Sequence, residues 1–255
     1  MADFILFAAG MAAGILGYFT GLASLTSYPA LVFLGVPPVL ANTTNTISMV
    51  GTGAGTLIGA WKRIRNAQGG FKLWPQLIVA ALAGTVGGVL LLVADSGVFE
   101  FLVPWFILLG VVLFLFGPRI RKRMAENTGR EQAHIALYLT ALAGATIYCG
   151  YFSAGAGMII MAIMALMTNM PLGDSLAMKA LMVFVANVTS AIVFIVQGQV
   201  LWHEAIVMGV GMFAGGFIAP KIQRFVPEKA LRIIVVIGGI VLTIWLFLRN
   251  FGVTI

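Results

Sequence analysis

From Phe4 to Trp61 the chain carries no Asp, Glu, Lys or Arg. At ~1.5 Å rise per residue, a helix of that length far exceeds one crossing of a ~30 Å hydrocarbon core. At least two membrane elements therefore lie within it. The Gly35-Val36-Pro37-Pro38 turn is the natural division, because proline lacks an N–H and restricts the residue before it. It leaves blocks at 4–36 and 39–61, and further uncharged stretches run 73–94, 101–118, 132–173, 180–203, 205–220 and 233–248, eight apolar blocks in all. Composition agrees, since 61% of residues are hydrophobic and 9% charged, against about 25% charged in a soluble domain. The expected fold class is an all-α polytopic membrane protein, which excludes a soluble enzyme, a disordered chain and a nucleic-acid module. The net charge of +7 falls in short clusters between apolar blocks, which is how membrane topology is written. One cysteine and two histidines are too few soft ligands for a structural zinc site, so neither a metal nor a cofactor is expected.

Two blocks, 4–36 and 133–170, are too long for one crossing and short for two, and each is interrupted by glycines and hydroxyls, at Gly17 to Ser27 and at Gly150 to Gly157. Each reads as a helix-break-helix hairpin, because irregular backbone at membrane depth survives only where protein or a polar cavity covers it. The alternative is a long tilted helix with a glycine kink. With hairpins, the loops at 61–73, 117–134 and 219–232 fall on one side. That side gathers Lys62, Arg63, Arg65, Lys72, Arg119, Arg121, Lys122, Arg123, Arg130, Lys221, Arg224, Lys229 and Arg232, with Arg249, Asp3, Asp95, Glu100 and Glu204 opposite. Eight single crossings would separate the 219–232 cluster from the rest. The positive-inside rule thus favours hairpins, cytoplasmic basic loops and both termini outside, in the cytoplasmic (inner) membrane. No basic residue precedes Lys62, so no charged leader of a cleavable signal peptide is expected.

The two halves echo one another. Gly17-Tyr18-Phe19-Thr20 returns as Gly150-Tyr151-Phe152-Ser153, Gly84 to Gly88 as Gly211 to Gly216, and Gly110-Val111-Val112-Leu113 as Gly239-Ile240-Val241-Leu242. Order and spacing are kept, so the expected organisation is two repeats. The first is 1–118, with hairpin 4–36 and helices 39–61, 73–94 and 100–118. A basic linker follows at 119–131, and the second repeat is 132–255, with hairpin 133–170 and helices 173–197, 201–220 and 230–250. The topology starts the first repeat outside and the second inside. Inverted repeats with broken elements meeting near the midplane are the architecture of secondary transporters.

The run GYFTGLASLTSYPALVFLGVPPVLANTTNTI (17–47) resembles the opening repeat of the TauE/SafE family, also called the sulfite exporter family. GYFSAGAGMI (150–159), Lys179 and Gln197-Gly198-Gln199-Val200-Leu201-Trp202 resemble that family's second repeat. The resemblance runs from Gly10 to about Leu248. It implies a multi-pass transporter of a small organic or sulfur-containing anion such as sulfite, sulfoacetate or a related sulfonate. One departure is Ala23-Ser24-Leu25-Thr26-Ser27 where many members carry a glycine cluster, so the substrate is not fixed as sulfite by the resemblance.

The residues themselves point to an anion site. Helix N-termini after the breaks offer unpaired N–H groups and a positive dipole end, with Thr20, Ser24, Thr26, Ser27 and Ser153 adding hydroxyls and Gly155 and Gly157 giving access to backbone. The alternative is that these hydroxyls cap their own helices. Asn42, Thr44 and Asn45, in the run Asn42 to Thr46, offer contacts to substrate or Na⁺, or else cap and glue helices. Lys179 is the ionisable residue inside an apolar block, and an anion carrier needs such a cation, unless it snorkels to the interface. Asn187 lies two turns on, on nearly the same face. No carboxylate sits mid-block, so export is expected to draw on the membrane potential, ~2.3 kcal/mol per charge per 100 mV, with H⁺ or Na⁺ coupling open. The remaining readings are a channel-like anion uniporter and an intramembrane hydrolase with Ser153 as nucleophile and His134 or His203 as base. The expected partners are a small anionic substrate and the lipid bilayer, with no nucleic acid. The oligomeric state, a homo-oligomer included, stays open.

Overall fold

The computed structural model describes residues 1–67, 70–116, 122, 134–222 and, beyond them, 236, 237, 240, 241, 243, 244 and 247. Within these, the charge-free segment forms three helices: α1 (Ala2–Thr20), α2 (Ser24–Phe33) and α3 (Pro38–Arg65). The next two are α4 (Leu73–Val93) and α5 (Ser96–Leu115). The second half supplies α6 (Ile135–Tyr151), α7 (Ala156–Met167), α8 (Leu172–Val196) and α9 (Trp202–Ile222). All of the expected linker at 119–131 but residue 122, the cluster Arg224, Lys229 and Arg232, and most of the expected helix 230–250 lie outside the described residues.

No strand occurs among the described residues, and α1, α4, α8 and α9 are each long and apolar enough to cross a membrane. The chain is a polytopic membrane protein. Large apolar side chains cover its outside, among them Phe4, Leu82 and Ile206. Trp61 and Trp74 are exposed toward one end and Trp202 toward the other, as rings that prefer the membrane–water interface would be.

Both breaks are narrower than the sequence interruptions. The first is Gly21 to Ala23, since α2 already begins at Ser24, and the Thr26 and Ser27 hydroxyls donate back to the Ala23 carbonyl. The second is Phe152 to Gly155, where Ser153 takes a left-handed φ of 66° and Gly155 one of 82°. A left-handed serine is uncommon and costs of order 1 kcal/mol, which such a site holds only when its surroundings fix it.

Helix pairing has a two-fold pattern. In it α9 lies along α1 and α3, α4 lies along α6 and α8, and α3 and α8 meet in the centre. The glycine clusters that echo between the halves make these seams. A Cβ on Gly87 would strike the Ile147 carbonyl of α6, and one on Gly215 the Met11 carbonyl of α1, so backbones approach as small-residue packing in lipid requires. Hydroxyls stitch the same seams. Ser190 donates to Gly84 O at 2.8 Å, Ser48 to Ala205 O at 3.1 Å and Thr56 to Gly216 O at 3.3 Å.

The ends sort consistently. His203 meets Asp3 at 2.9 Å, so α1 and α9 begin at one end. Tyr138 donates to Gln76 at 2.8 Å, and the Arg63 guanidinium lies against Gly173, so α4, α6 and α8 begin at the end where α3 finishes. The latter is the end of Lys62, Arg63 and Arg65.

Candidate functional site

The two breaks meet in the interior. A Cβ on Gly21 would come within 2.8 Å of the Gly157 backbone, so the tip of the first hairpin rests on the first turn of α7. Beside this contact is a cavity of about 30 Å³. That admits about two or three water-sized groups.

The cavity is walled by the break regions, α3 and α8. The breaks contribute Gly17, Tyr18, Gly21, Ala23, Ser153 and Gly157. From α3 come Met49, Thr52, Gly53 and Thr56, and from α8 Lys179, Ala180, Val183, Phe184 and Asn187. Lys179, Val183 and Asn187 are one turn apart in succession, so they form a stripe on a single face of α8.

Lys179 is 2% exposed. Its ammonium donates to the Tyr18 carbonyl at 2.7 Å and to the Gly17 carbonyl at 3.2 Å. These carbonyls belong to the last turn of α1, the negative end of the helix dipole, where a cation is stabilised. The position thus holds a buried cation on helix-end carbonyls, and its four-carbon stem crosses the first turn of α7 near Gly157.

Two donors in the wall are unmatched. Asn187 Oδ1 accepts from Ser153 Oγ at 3.3 Å and from Cys149 Sγ at 3.6 Å, whereas its Nδ2 is buried with no hydrogen-bond partner. Thr52 Oγ1 is likewise buried and unpartnered. A buried polar donor left without a partner costs about 1–3 kcal/mol, so these atoms with the ammonium suit an acceptor-rich guest.

The sequence candidates separate into two groups. Ser153, Gly157, Lys179 and Asn187 are brought together in the cavity wall. The others lie elsewhere. Thr20 donates to Leu16 O and accepts from Leu22 N, closing the α1 break. Ser24 donates to Met49 Sδ and accepts from Asn45 Nδ2, behind Met49, while Thr26 and Ser27 donate back to the Ala23 carbonyl. Asn42 donates to Tyr151 O at 2.9 Å, Thr44 accepts from Leu201 N, and Gly155 packs on Gly110.

Thr52 and Thr56 of the wall lie beyond the contiguous polar run Asn42 to Thr46, so a run of polar residues does not point to them. A helical face gives the signal. Asn45, Met49, Thr52 and Thr56 recur at three- and four-residue spacing, which lines them up on one side of α3. The hydrolase alternative finds no geometry, since Ser153 faces Asn187 and Cys149 while His203 pairs with Asp3 at an exposed end and His134 begins α6.

A family profile described as "Sulfite exporter TauE/SafE" matches residues 6–246. A "Probable membrane transporter protein" of Haemophilus influenzae is 28% identical over 240 residues, 94% of this chain and 92% of the relative. A "Probable membrane transporter protein ORF9" of Sinorhizobium sp is 26% identical, over 94% and 90% of the two chains. "Probable membrane transporter protein YfcA" of Escherichia coli K12 is 24% identical, over 97% and 90%. No solved structure gives a significant match.

Proposed function

The chain belongs to the Sulfite exporter TauE/SafE family, a family of membrane transporters and not of enzymes, and from that premise we propose that it is a secondary carrier for a small organic or sulfur-containing anion. The observation that carries this reading is a buried lysine whose ammonium shares one cavity with two unpartnered donors, Asn187 Nδ2 and Thr52 Oγ1. An arriving oxyanion supplies charge-assisted acceptors to all three, and charged hydrogen bonds are roughly twice as strong as neutral ones. Ser153 Oγ and the N-terminal turn of α7 at Gly157 complete the wall.

The two-fold pairing of α1, α3 and α9 with α6, α8 and α4 supports reading 1–118 and 132–255 as inverted repeats that exchange access around this cavity. The basic end is cytoplasmic on the positive-inside rule, with the Asp3–His203 end outside the cytoplasmic membrane. An inside-negative potential then drives anion export, so the chain's own charges need no carboxylate relay.

A thermal-shift panel of the purified protein tests the substrate class, because a ligand that binds only the folded state raises Tm. Sulfite, sulfate, sulfoacetate, taurine and carboxylate analogues form the panel. A shift with sulfite or a sulfonate that disappears in Lys179→Ala supports the reading. A shift with carboxylates alone removes the sulfur assignment, and a shift of equal size in Lys179→Ala removes the site.

A further inference from the structure

The two hairpin tips are held in a reciprocal way that follows the internal repeat. With Gly17 set against Gly150, Tyr18 corresponds to Tyr151, Pro38 to Pro171 and Thr46 to Lys179. The carbonyl of Tyr18, in the first half, receives a hydrogen bond from Lys179 of α8, in the second half. The carbonyl of Tyr151, in the second half, receives one from Asn42 of α3, in the first half. Equivalent carbonyls at the two helix ends are thus bridged across the halves by side chains from equivalent helices, one turn apart in register.

These bridges lie toward opposite ends of the molecule. Two residues beyond Asn42, Thr44 holds the Leu201 N–H just before α9, and α9 begins at the Asp3–His203 end. Lys179 lies two turns into α8, whose start at Gly173 touches Arg63 at the basic end. Thr52 and Gly53 of the cavity wall fall between them along α3.

We infer that Asn42 and Lys179 are positioning residues that latch the two hairpin tips, Asn42 closing the cavity toward the Asp3–His203 end and Lys179 closing it toward the basic end. The inference deepens the carrier reading and rests on it. The latches differ in kind. Lys179 is charged and lines the cavity, so an anion competes directly with the Tyr18 and Gly17 carbonyls for its ammonium and frees the α1 tip. Asn42 is neutral and outside the cavity wall, and its Oδ1 is buried without a partner, so it holds Tyr151 with one half of its amide while the other half is unsatisfied. The basic end therefore opens in response to substrate charge, and the opposite end opens by spontaneous loss of one neutral hydrogen bond.

The test reads access to the cavity from each end. Thr52→Cys in a Cys149→Ala background is labelled with a membrane-impermeant methanethiosulfonate in right-side-out and inverted vesicles. Asn42→Ala is expected to speed labelling about tenfold from the Asp3–His203 end only, and Lys179→Met about tenfold or more from the basic end only, the loss of one neutral or one charged hydrogen bond. Asn42→Leu keeps the side-chain volume and removes the donor, so it must act as Asn42→Ala does. Unchanged labelling in both Asn42 variants, or sides exchanged between Asn42 and Lys179 variants, overturns the latches. Flux is measured separately with native Thr52. Labelling that follows the expected sides in vesicles that move no anion upholds the latches and removes the carrier reading.

Discussion

Lys179, a residue only 2% exposed, sets its ammonium on the last carbonyls of α1, which stabilise a buried cation. Removing the charge leaves Gly17 O its bond from Gly21 N but takes the Lys179 donor from Tyr18 O and the cation that an anion needs. Lys179→Ala is therefore expected to abolish anion flux in proteoliposomes while the protein still inserts and elutes as a single species. Lys179→Arg is expected to restore part of the flux, because the guanidinium keeps the charge but its planar fork does not fit where a compact ammonium sat. Wild-type flux in the alanine variant would reassign Lys179 to a purely structural role. Thr52 gives a finer test. Thr52→Val keeps the shape and deletes one unpartnered hydroxyl, so the KM for the transported anion should rise about two- to tenfold, the worth of one hydrogen bond of ~0.5–1.5 kcal/mol, with little change in Tm. An unaltered KM would remove Thr52 from the anion's contacts.

At the scale of elements, the two helix breaks decide the geometry of the site, and their glycines are fixed by backbone contact. A Cβ on Gly157 would lie 2.7 Å from the Gly21 Cα, and Gly155 has a φ of 82° with Gly110 Cα 2.9 Å from where its Cβ would be. Gly157→Leu and Gly155→Leu are expected to separate the tips and block flux, and overpacking of ~1–3 kcal/mol should lower Tm in detergent. Full flux in both variants would detach the second hairpin from the site. The breaks were legible in the sequence as Gly17 to Ser27 and Gly150 to Gly157, but their bounds were not. Serine and threonine serve a break or a first helical turn equally well by sequence. The folded backbone assigns Thr26 and Ser27 to α2, where their N–H groups bond the Ala23 carbonyl.

For the whole molecule, the proposed orientation puts the basic end in the cytoplasm and the Asp3–His203 end outside. In cells expressing the protein with Cys149→Ala, Gln199→Cys is expected to react with an external membrane-impermeant maleimide and Lys62→Cys only after permeabilisation, since both are exposed and lie at opposite ends. Labelling of Lys62→Cys in intact cells would invert the orientation and with it the expected direction of transport.

The sequence by itself determined the membrane class, because a charge-free run from Phe4 to Trp61 has no stable place in water. It also located the breaks, though not their bounds, and set apart Lys179 as a cation inside an apolar block, through local rules of glycine, proline and charge that need no knowledge of the neighbours. The tertiary structure alone decided which polar residues share a cavity. Asn42 and Asn45 stand one turn apart on α3, yet Asn42 reaches Tyr151 and Asn45 reaches Ser24, while Thr52, unremarked in sequence, faces Lys179 and Asn187 across the cavity. Apolar helices in lipid have no hydrophobic face to announce which side is inward. Their partners are chosen by backbone fit between segments far apart in the chain, as at Gly215 against Met11 and Gly21 against Gly157.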